Sequence, residues 1–462
     1  MKHLGNVNLE DTKAPDITFF NVIGYWTVSY PASWNLGLTI LCSVLFLGFV
    51  VLGIRRKQIT INAFLAGFFI FVATLVLLFF IALLLIKGIL AVYPLYNRFY
   101  GSNSYNSHTY FFALTAIGIA IFSALYQWLN QKFNTRSLLA GILLLEVILL
   151  NLLYSVMPTG IFIILFPLLF LIIGNIIVIY RGEQERGNLI SSAVILISLL
   201  PAILLIPSTV EQMYIVFGLT TVTAAVVVVL GLLLGLLIPI LSTTFEVNRY
   251  LITGLAVIIF FASLLVGHVT SNFDASHPLQ SSLYYQLRAD ENKAYWISDF
   301  PDTDEWNKQY FQGAKVEDGK LLNVAPLLPL SAPSAVILKD TIVNEIRKLH
   351  LHLAFRQNAL SMTIRIGKEN LAGDVTVRGS AGGIPQSNKS ASLFSYVNYV
   401  GLDSLGVEVI FETTPGKPFE FSVVDRSLGL PVMVGMADRP AWIIPGVGSN
   451  SNTMQVTKKF VF

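Results

Sequence analysis

The chain has 462 residues, 54% of them hydrophobic and only 12% charged, with a formal net charge of +3. Soluble proteins carry about 25% charged residues, so this composition excludes an ordinary water-soluble enzyme as a description of the whole chain. The small net charge, with no basic run interleaved with aromatics, argues against a nucleic-acid partner.

The charges are also segregated. Residues 1–35 hold 5 of the Asp, Glu, Lys and Arg, residues 36–270 hold 15 and residues 271–462 hold 37. Three regions follow: an N-terminal tail or linker at 1–35, an apolar region at 36–270, and a region of ordinary polarity at 271–462. The tail is not read as a signal peptide, because Lys2 is followed by neither an apolar run nor a small-residue cleavage site.

Within 36–270, stretches such as Leu36 to Ile54, Ile161 to Tyr180 and Ala224 to Leu241 carry no charge. A helix rises about 1.5 Å per residue, so each can cross a hydrocarbon core of about 30 Å. In lipid a backbone must satisfy its own hydrogen bonds, which makes these runs spanning helices rather than a soluble core. The expectation is eight spans, at about 36–54, 62–86, 110–128, 138–157, 161–180, 188–206, 213–241 and 250–269. The seventh is overlong, which predicts a tilt or a short interfacial piece at its start. Pro167, Pro201 and Pro239 fall inside apolar runs and are tolerable where neighbouring helices satisfy the freed carbonyls. The only cysteine, Cys42, lies in the first run, so no disulfide can form within the chain.

Lys and Arg set the expected orientation. Arg55, Arg56, Lys57, Lys132, Arg136, Arg181, Arg186 and Arg249 flank alternate loops, against Lys87 and Arg98 on the other side. The first group is assigned to the cytoplasm. Eight crossings then leave both termini non-cytoplasmic, whether periplasmic, extracellular or luminal. Trp26, Trp34, Tyr93, Tyr96, Tyr110, Trp128 and Tyr180 flank the spans and read as interfacial anchors.

From Asp274 the pattern changes to alternation. Ser282 to Leu287 and Lys293 to Ser298 flank the polar turn Arg288 to Asn292 and predict a hairpin. Asp302 to Phe311 predicts a short helix capped by Asp302 or Thr303. Strands are predicted at Ala335 to Leu338, Arg347 to Phe355, Ser361 to Ile366, Asp374 to Arg378, Gly406 to Glu412, Phe419 to Val424 and Met454 to Phe462. Short strands at this spacing favour a sandwich or jelly-roll-like domain. The fold class is therefore a polytopic α-helical membrane bundle of about eight spans followed by a mostly-β soluble domain.

Few residues offer chemistry. The histidines are His3, His108, His268, His277, His350 and His352, and none belongs to an HExxH motif. His350 and His352 share one face of a strand, but zinc takes three or four ligands, so they read as a solvated face with Lys348 and Arg356 nearby. Gly379 to Gly383 lacks the Lys and the following helix of a phosphate loop and reads as a plain loop. Asn388-Lys389-Ser390 has the form of a glycosylation sequon. Glu146 stands alone in the middle of a span, where a carboxylate costs several kcal/mol unless protonated or paired. It is the one intramembrane polar candidate. It would serve as a proton or ion relay or touch a polar substrate. Alternatively it hydrogen-bonds Asn62, Asn151 or Asn175, or faces a wet cleft.

Both ends of the chain carry a family likeness. His277 to Phe311 (HPLQSSLYYQLRADENKAYWISDFPDTDEWNKQYF) resembles the segment after the last span of membrane-anchored family-28 zinc metallopeptidases, the relatives of the vacuolar membrane protease and the endoplasmic reticulum metallopeptidase. Arg439-Pro-Ala-Trp442 through Thr453-Met-Gln-Val456 to Phe462 resembles that family's C-terminus. Lys2 to Asn6 and Phe19 to Gly24, up to Tyr30-Pro31, resemble the stretch joining its peptidase domain to the first following span.

The resemblance implies a zinc peptidase domain, then eight spans, then a β-rich domain on the same side of the membrane. In the family the zinc ligands and the Glu general base lie upstream of the matched region, and none of those positions exists in this sequence. No catalytic or metal residue is carried over, and no cofactor is expected in this chain. The expected function is a non-catalytic membrane anchor and accessory region, truncated or split, whose partners are the lipid bilayer and a separately encoded peptidase domain. The alternatives are a small-solute transporter or channel using Glu146, or a membrane receptor with a ligand-binding β-domain.

Overall fold

The computed structural model describes residues 16–22, 26–181, 189–356, 358–367, 371–379, 382–386, 394–401, 406–446 and 450–462. His3, Arg186 and the tripeptide 388–390 lie outside them. The chain divides into two compact units, Met1–Asn272 and Phe273–Phe462.

The first unit is helical. An N-terminal hairpin of β1 (Ile17–Val22) and β2 (Trp26–Pro31) leads into α1 (Trp34–Arg55), α2 (Ile61–Val92), α3 (Ser107–Asn130), α4 (Thr135–Val156), α5 (Phe162–Arg181), α6 (Leu189–Phe217), α7 (Thr223–Leu236), α8 (Ile238–Val247) and α9 (Leu251–Val269). Among the described residues, seven of these helices are long and apolar enough to cross a membrane, and α7 with α8, bent by 68°, make an eighth if the pair is one span. The helical class and the multi-pass character agree with the apolar runs.

Two span boundaries are corrected. Residues 213–217 belong to α6, not to the seventh span. The chain turns after them because Gly218 adopts a left-handed φ of +60°, a conformation that costs glycine little. Its N–H donates to Tyr214 O at 2.7 Å and closes the helix. The remainder of that run then breaks at Leu237, where Pro239 stands in the first turn of α8 and supplies no N–H to α7. Helix α2 runs on to Val92, and the 3-10 helix Pro94–Arg98 follows it.

The helices cross closely where side chains are smallest. A Cβ at Gly141 on α4 would lie 2.4 Å from Phe64 O and from Phe68 N of α2, so the two backbones nearly touch there. Small residues at such crossings let lipid-embedded helices gain contact that lipid tails would otherwise supply. Three of the basic loops meet at one end. Arg136 donates to Gln58, Thr60 N donates to Ser137 Oγ at 3.1 Å, and the Arg56 guanidinium lies 5.9 Å over the Tyr180 ring. At the other end the β1–β2 hairpin docks on α5 through stacked Phe20 and Phe162, 4.5 Å apart.

The second unit is a sandwich. One sheet has eight strands in the order β13-β10-β15-β17-β4-β5-β7-β6 and the other five in the order β12-β11-β14-β9-β8. The larger comprises β4 (Tyr284–Arg288), β5 (Lys293–Ser298), β6 (Lys315–Glu317), β7 (Lys320–Ala325), β10 (Ser361–Gly367), β13 (Phe394–Val400), β15 (Glu420–Leu428) and β17 (Thr453–Val461). The smaller comprises β8 (Ser334–Val343), β9 (Ile346–Ala354), β11 (Leu371–Gly379), β12 (Gly382–Gln386) and β14 (Val407–Thr413). Strands β3 (Leu279–Ser281) and β16 (Ile443–Pro445) form a separate parallel pair.

Alternation explains the packing. Leu349, Leu351 and Leu353 of β9 face Met362, Ile364 and Ile366 of β10 with Phe411, Phe421 and Val423 in one buried core. A second core under β4 and β5 gathers Tyr285, Trp296, Trp306, Tyr310 and Val456. The predicted hairpin is present, with Tyr284 opposite Ile297 and Arg288 opposite Lys293. The helix expected at Asp302 to Phe311 is instead the 3-10 helix Asn307–Tyr310. Its N-cap position is Trp306, and Asp304 holds the preceding turn, its Oδ1 accepting from Trp306 N at 3.0 Å and Asn307 N at 2.8 Å.

Candidate functional site

Glu146 projects from the middle of α4 into the bundle, where it is 2% exposed and therefore faces no open cleft. Among the described residues its Oε1 has no hydrogen-bond partner. The amides considered as partners are engaged elsewhere: Asn151 Nδ2 donates to Val147 O at 2.8 Å and Ser43 Oγ at 3.2 Å, and Asn175 Nδ2 to Leu171 O at 2.9 Å. Asn62 is exposed at the start of α2. A buried carboxyl oxygen without a donor is an available acceptor for a proton, a cation or a polar solute.

A second site crosses the outer face of the eight-stranded sheet. Thr363 Oγ1 on β10 donates to Asn398 Oδ1 on β13 at 2.6 Å. Arg426 on β15 donates from Nη1 to Thr363 Oγ1 at 2.6 Å and from Nε to Asn450 Oδ1 at 3.2 Å. Asn450 N donates to Asp299 Oδ2 at 3.3 Å, and Lys320 Nζ to Asp299 Oδ1 at 2.6 Å. These residues form one polar strip, in which strand alternation places Thr363, Asn398 and Arg426 on the face away from the core while Asp299 and Asn450 come from loops. Burial pulls the Arg426 guanidinium below its usual pKa. Burial, then the neighbouring Asp299 carboxylate, pushes the Tyr284 phenol up. The strip offers oriented donors and acceptors to a polar ligand. Sequence reasoning missed it because its members come from 299 to 450 and two of them, Asp299 and Asn450, lie in loops.

His350 and His352 stand on the half-exposed face of β9, as their spacing requires. His350 Nε2 lies 2.9 Å from Glu408 Oε2 on β14, which opposes His352 in register. Among the described residues, no three His, Cys, Asp or Glu side chains gather to hold a metal ion. The Gly379 and Gly382 backbones pair across the β11–β12 hairpin; residues 380 and 381 lie outside the described residues.

The flanking aromatics divide into two groups. Trp26, Trp34, Trp128 and Tyr180 are exposed, as interfacial side chains are. Tyr96 and Tyr110 are instead buried, which corrects their reading as anchors. They join a polar knot at the end of the bundle opposite the basic loops. Tyr93 Oη lies 2.7 Å from His268 Nδ1 and Tyr96 Oη 3.3 Å from Tyr110 Oη. Asn106 Nδ2 donates to Gly267 O at 2.9 Å and to Tyr96 Oη at 3.0 Å. The knot ties α3 to α9 and to the turn after α2.

Comparison with protein-family models gives no match, and comparison with curated protein sequences gives none either.

Proposed function

We propose that the chain is the membrane-anchoring, non-catalytic accessory region of a family-28-like zinc metallopeptidase and works with a zinc peptidase domain. One observation carries the reading. The two C-terminal segments that bear the resemblance, far apart in sequence, pack into a single substructure. Ile443 pairs with Leu279 in the parallel β3–β16 ladder, and Met454 pairs with Tyr285 between β17 and β4. The Arg439 guanidinium lies 4.5 Å over the Trp306 ring and donates to Asn452 Oδ1 at 2.9 Å. Trp306 Nε1 donates to Ala437 O at 3.0 Å. That the two segments bearing the resemblance pack against each other supports reading them together.

The third segment supports the reading too. The β1–β2 hairpin corresponds to the family's join between peptidase and first span, and Asn35 Nδ2 fastens it by donating to Thr18 Oγ1 at 2.8 Å. With the basic loops in the cytoplasm and eight crossings, both termini share the non-cytoplasmic compartment. In this arrangement the β unit and the peptidase face the same substrates, and the polar strip at Arg426 offers them a docking surface.

The test is purification of the chain from its native membranes with a zinc-dependent aminopeptidase assay on the product. The expected result is co-eluting activity and crosslinks from a peptidase to the β unit. No co-eluting peptidase, together with no peptidase-like reading frame upstream, overturns the proposal. Protease protection of both termini tests the orientation, and opposite compartments would reject it.

Glu146 favours a second reading, a proton- or ion-coupled path for a small solute. Proteoliposomes that show flux lost on Glu146→Gln support it, and absence of flux removes it.

A further inference from the structure

The loop that follows β15 carries no charge from Ser427 to Ala437 (SLGLPVMVGMA). Leu430 and Met433 turn inward and pack against the core that holds Trp296 and Trp306. Val432 and Val434 point the other way and are fully exposed, and Met436 is exposed beside them. The tip is a tight turn. Met436 N donates to Met433 O at 3.5 Å, and Gly435 takes a φ of +85°, the left-handed conformation that the third position of a type II turn requires. Turns of this kind favour Gly, Pro, Asn, Asp and Ser, whereas this one presents valine and methionine. Both feet of the loop are fastened. Gly429 N donates to Asn452 O at 2.8 Å and Ala437 N to Gln309 Oε1 at 2.7 Å. Ala437 O accepts from Trp306 Nε1 at 3.0 Å and from Gln309 Nε2 at 3.1 Å. An aliphatic tip held out from a fixed base marks a contact with a membrane or with a protein.

The place where the chain enters the β unit decides between the two. Helix α9, long and apolar enough to cross a membrane, ends at Val269, and β3 begins at Leu279. Those ten steps of chain reach at most about 35 Å when fully extended. They are not fully extended, because Asp274 N donates to His277 O at 3.1 Å and closes a turn. Strand β3 is therefore tethered close to the bilayer surface. The apolar loop lies at the same corner of the β unit. Leu279 N donates to Trp442 O at 2.8 Å, a short step along the chain from Ala437. Trp306, which holds Ala437, is followed by Asn307, whose Nδ2 donates to Ser281 Oγ on β3 at 3.3 Å. The tethered strand and the foot of the loop thus share one small hydrogen-bonded cluster.

We infer that the turn Met433–Met436, with Val432 beside it, dips into the interfacial layer of the bilayer and gives the β unit a second hold on the membrane besides its covalent tether. Insertion stops at Asp438, an exposed carboxylate that hydrocarbon would penalise. The depth is that of an interfacial anchor, about 5–10 Å at the headgroup and acyl boundary. Aliphatic side chains recognise hydrocarbon rather than a headgroup, so zwitterionic lipid suffices.

The test places a fluorescent label on Val434→Cys in the full chain, reconstituted in phosphatidylcholine vesicles. Cys42, the one native cysteine, is replaced by Cys42→Ala so that the label has a single site. Lys417→Cys is the control. Lys417 is exposed in the turn before β15, at the other end of that nine-residue strand, about 30 Å from the loop at the strand rise. Lipids carrying a nitroxide high on the acyl chain are expected to quench the label at 434 several-fold more than the label at 417. Adding Val432→Asp is expected to bring the quenching at 434 down toward the level at 417, because it sets a charge on the inserted tip. Equal quenching at the two positions overturns the inference and leaves the tip to a protein partner. Quenching at 434 that Val432→Asp does not change overturns it too. Should the labelled variants fail to reconstitute, phosphatidylcholine with a photoactivatable acyl chain replaces them on the wild type. Crosslinks in the β unit concentrated at 432–436 support the inference, and a β unit without crosslinks, or with crosslinks elsewhere, rejects it.

Discussion

Asp425 in the β unit and Glu146 in the helical bundle are both carboxylates withdrawn from solvent, at 0% and 2% exposure. Asp425 is matched by Arg356. Arg356 Nε donates to its Oδ1 at 2.9 Å, the Arg356 Nη2 lies 2.7 Å from the same oxygen, and the guanidinium also reaches Met454 O at 2.9 Å. Glu146, among the described residues, has an Oε1 with no donor. A buried charge that is paired belongs to the architecture, because removing either partner strands the other. A buried acid whose oxygen lacks a donor adds nothing of that kind to the fold, and that oxygen is open to a solute, a proton or a partner. The same chemical group thus carries opposite meaning in the two units, and burial alone does not tell which.

The largest effect expected from this contrast is at Arg356. Arg356→Ala leaves Asp425 buried without a cation and is expected to destabilise the β unit by about 3–5 kcal/mol. The measurement is chemical denaturation of the purified chain, followed by tryptophan fluorescence from the core that holds Trp296 and Trp306. The paired change Arg356→Met with Asp425→Leu is expected to recover most of that loss, since well-packed apolar residues often replace a buried ion pair. If Arg356→Ala costs under about 1 kcal/mol, as exposed pairs do, the pair is not architectural and the contrast fails.

The next effect concerns how the bundle holds together without such pairs. Gly141→Ala places a Cβ against the α2 backbone, which cannot yield as a side chain can. The expected loss is about 1–3 kcal/mol, the range of overpacked sites. Gly254→Ala on α9 is the matched control, because a Cβ there meets nothing within 4 Å. It is expected to be neutral or to gain up to about 1 kcal/mol from helix propensity. Similar melting temperatures for the two variants in detergent would mean that the α2–α4 crossing is not a packing constraint.

How much of this was legible in the sequence depends on whether the signal was local. Uncharged runs such as Leu36 to Ile54 announced spanning helices, and alternation at Arg347 to Phe355 announced a strand. Glu146 was visible because a single carboxylate in hydrocarbon needs no partner to be noticed. The turn at Gly218 was hidden, since apolar residues on both sides made α6 and α7 merge into other boundaries. Hairpin β1–β2 went unseen because residue type does not follow burial in it: in β1 the exposed positions include Ile17 and Phe19 while Thr18 is buried beside Phe20, and β2 is almost wholly exposed, Trp26 included. Burial of Tyr96 and Tyr110 depended on α9, which arrives more than a hundred residues later. The strip through Thr363, Arg426 and Asp299 required the order of five strands, and no spacing encodes that.

Replacing Glu146 should show the reverse of Arg356. Glu146→Gln keeps the shape and removes the ionisable group, so stability is expected to hold or rise, by less than about 3 kcal/mol, the scale of placing a carboxylate at a helix centre. Thermal melting in detergent reads the change. A clear loss instead would reveal a cation or donor that Glu146 holds in place, and would move it into the same class as Asp425.

The smallest effect is expected at the exposed limit of the comparison, Asp274. This carboxylate lies on the surface, so water competes for it and no guanidinium is needed. The Ser276 hydroxyl donates to Oδ1 at 2.6 Å, and the backbone N–H groups of Ser276 and His277 donate at 2.7 and 2.8 Å. Those bonds favour the ionised form and hold the carboxyl down to about 2. A folded-state value below that of the unfolded chain, about 3.9, means the stabilisation is complete above pH 4. It is lost as the pH falls through 2, because the unfolded chain takes up the proton first. Asp274→Asn should therefore melt slightly earlier than wild type at neutral pH, and the two curves should converge on acidification between those values. Curves that stay parallel down to pH 2 would show that the turn at 274–277 is held by its backbone geometry, with the carboxylate a bystander.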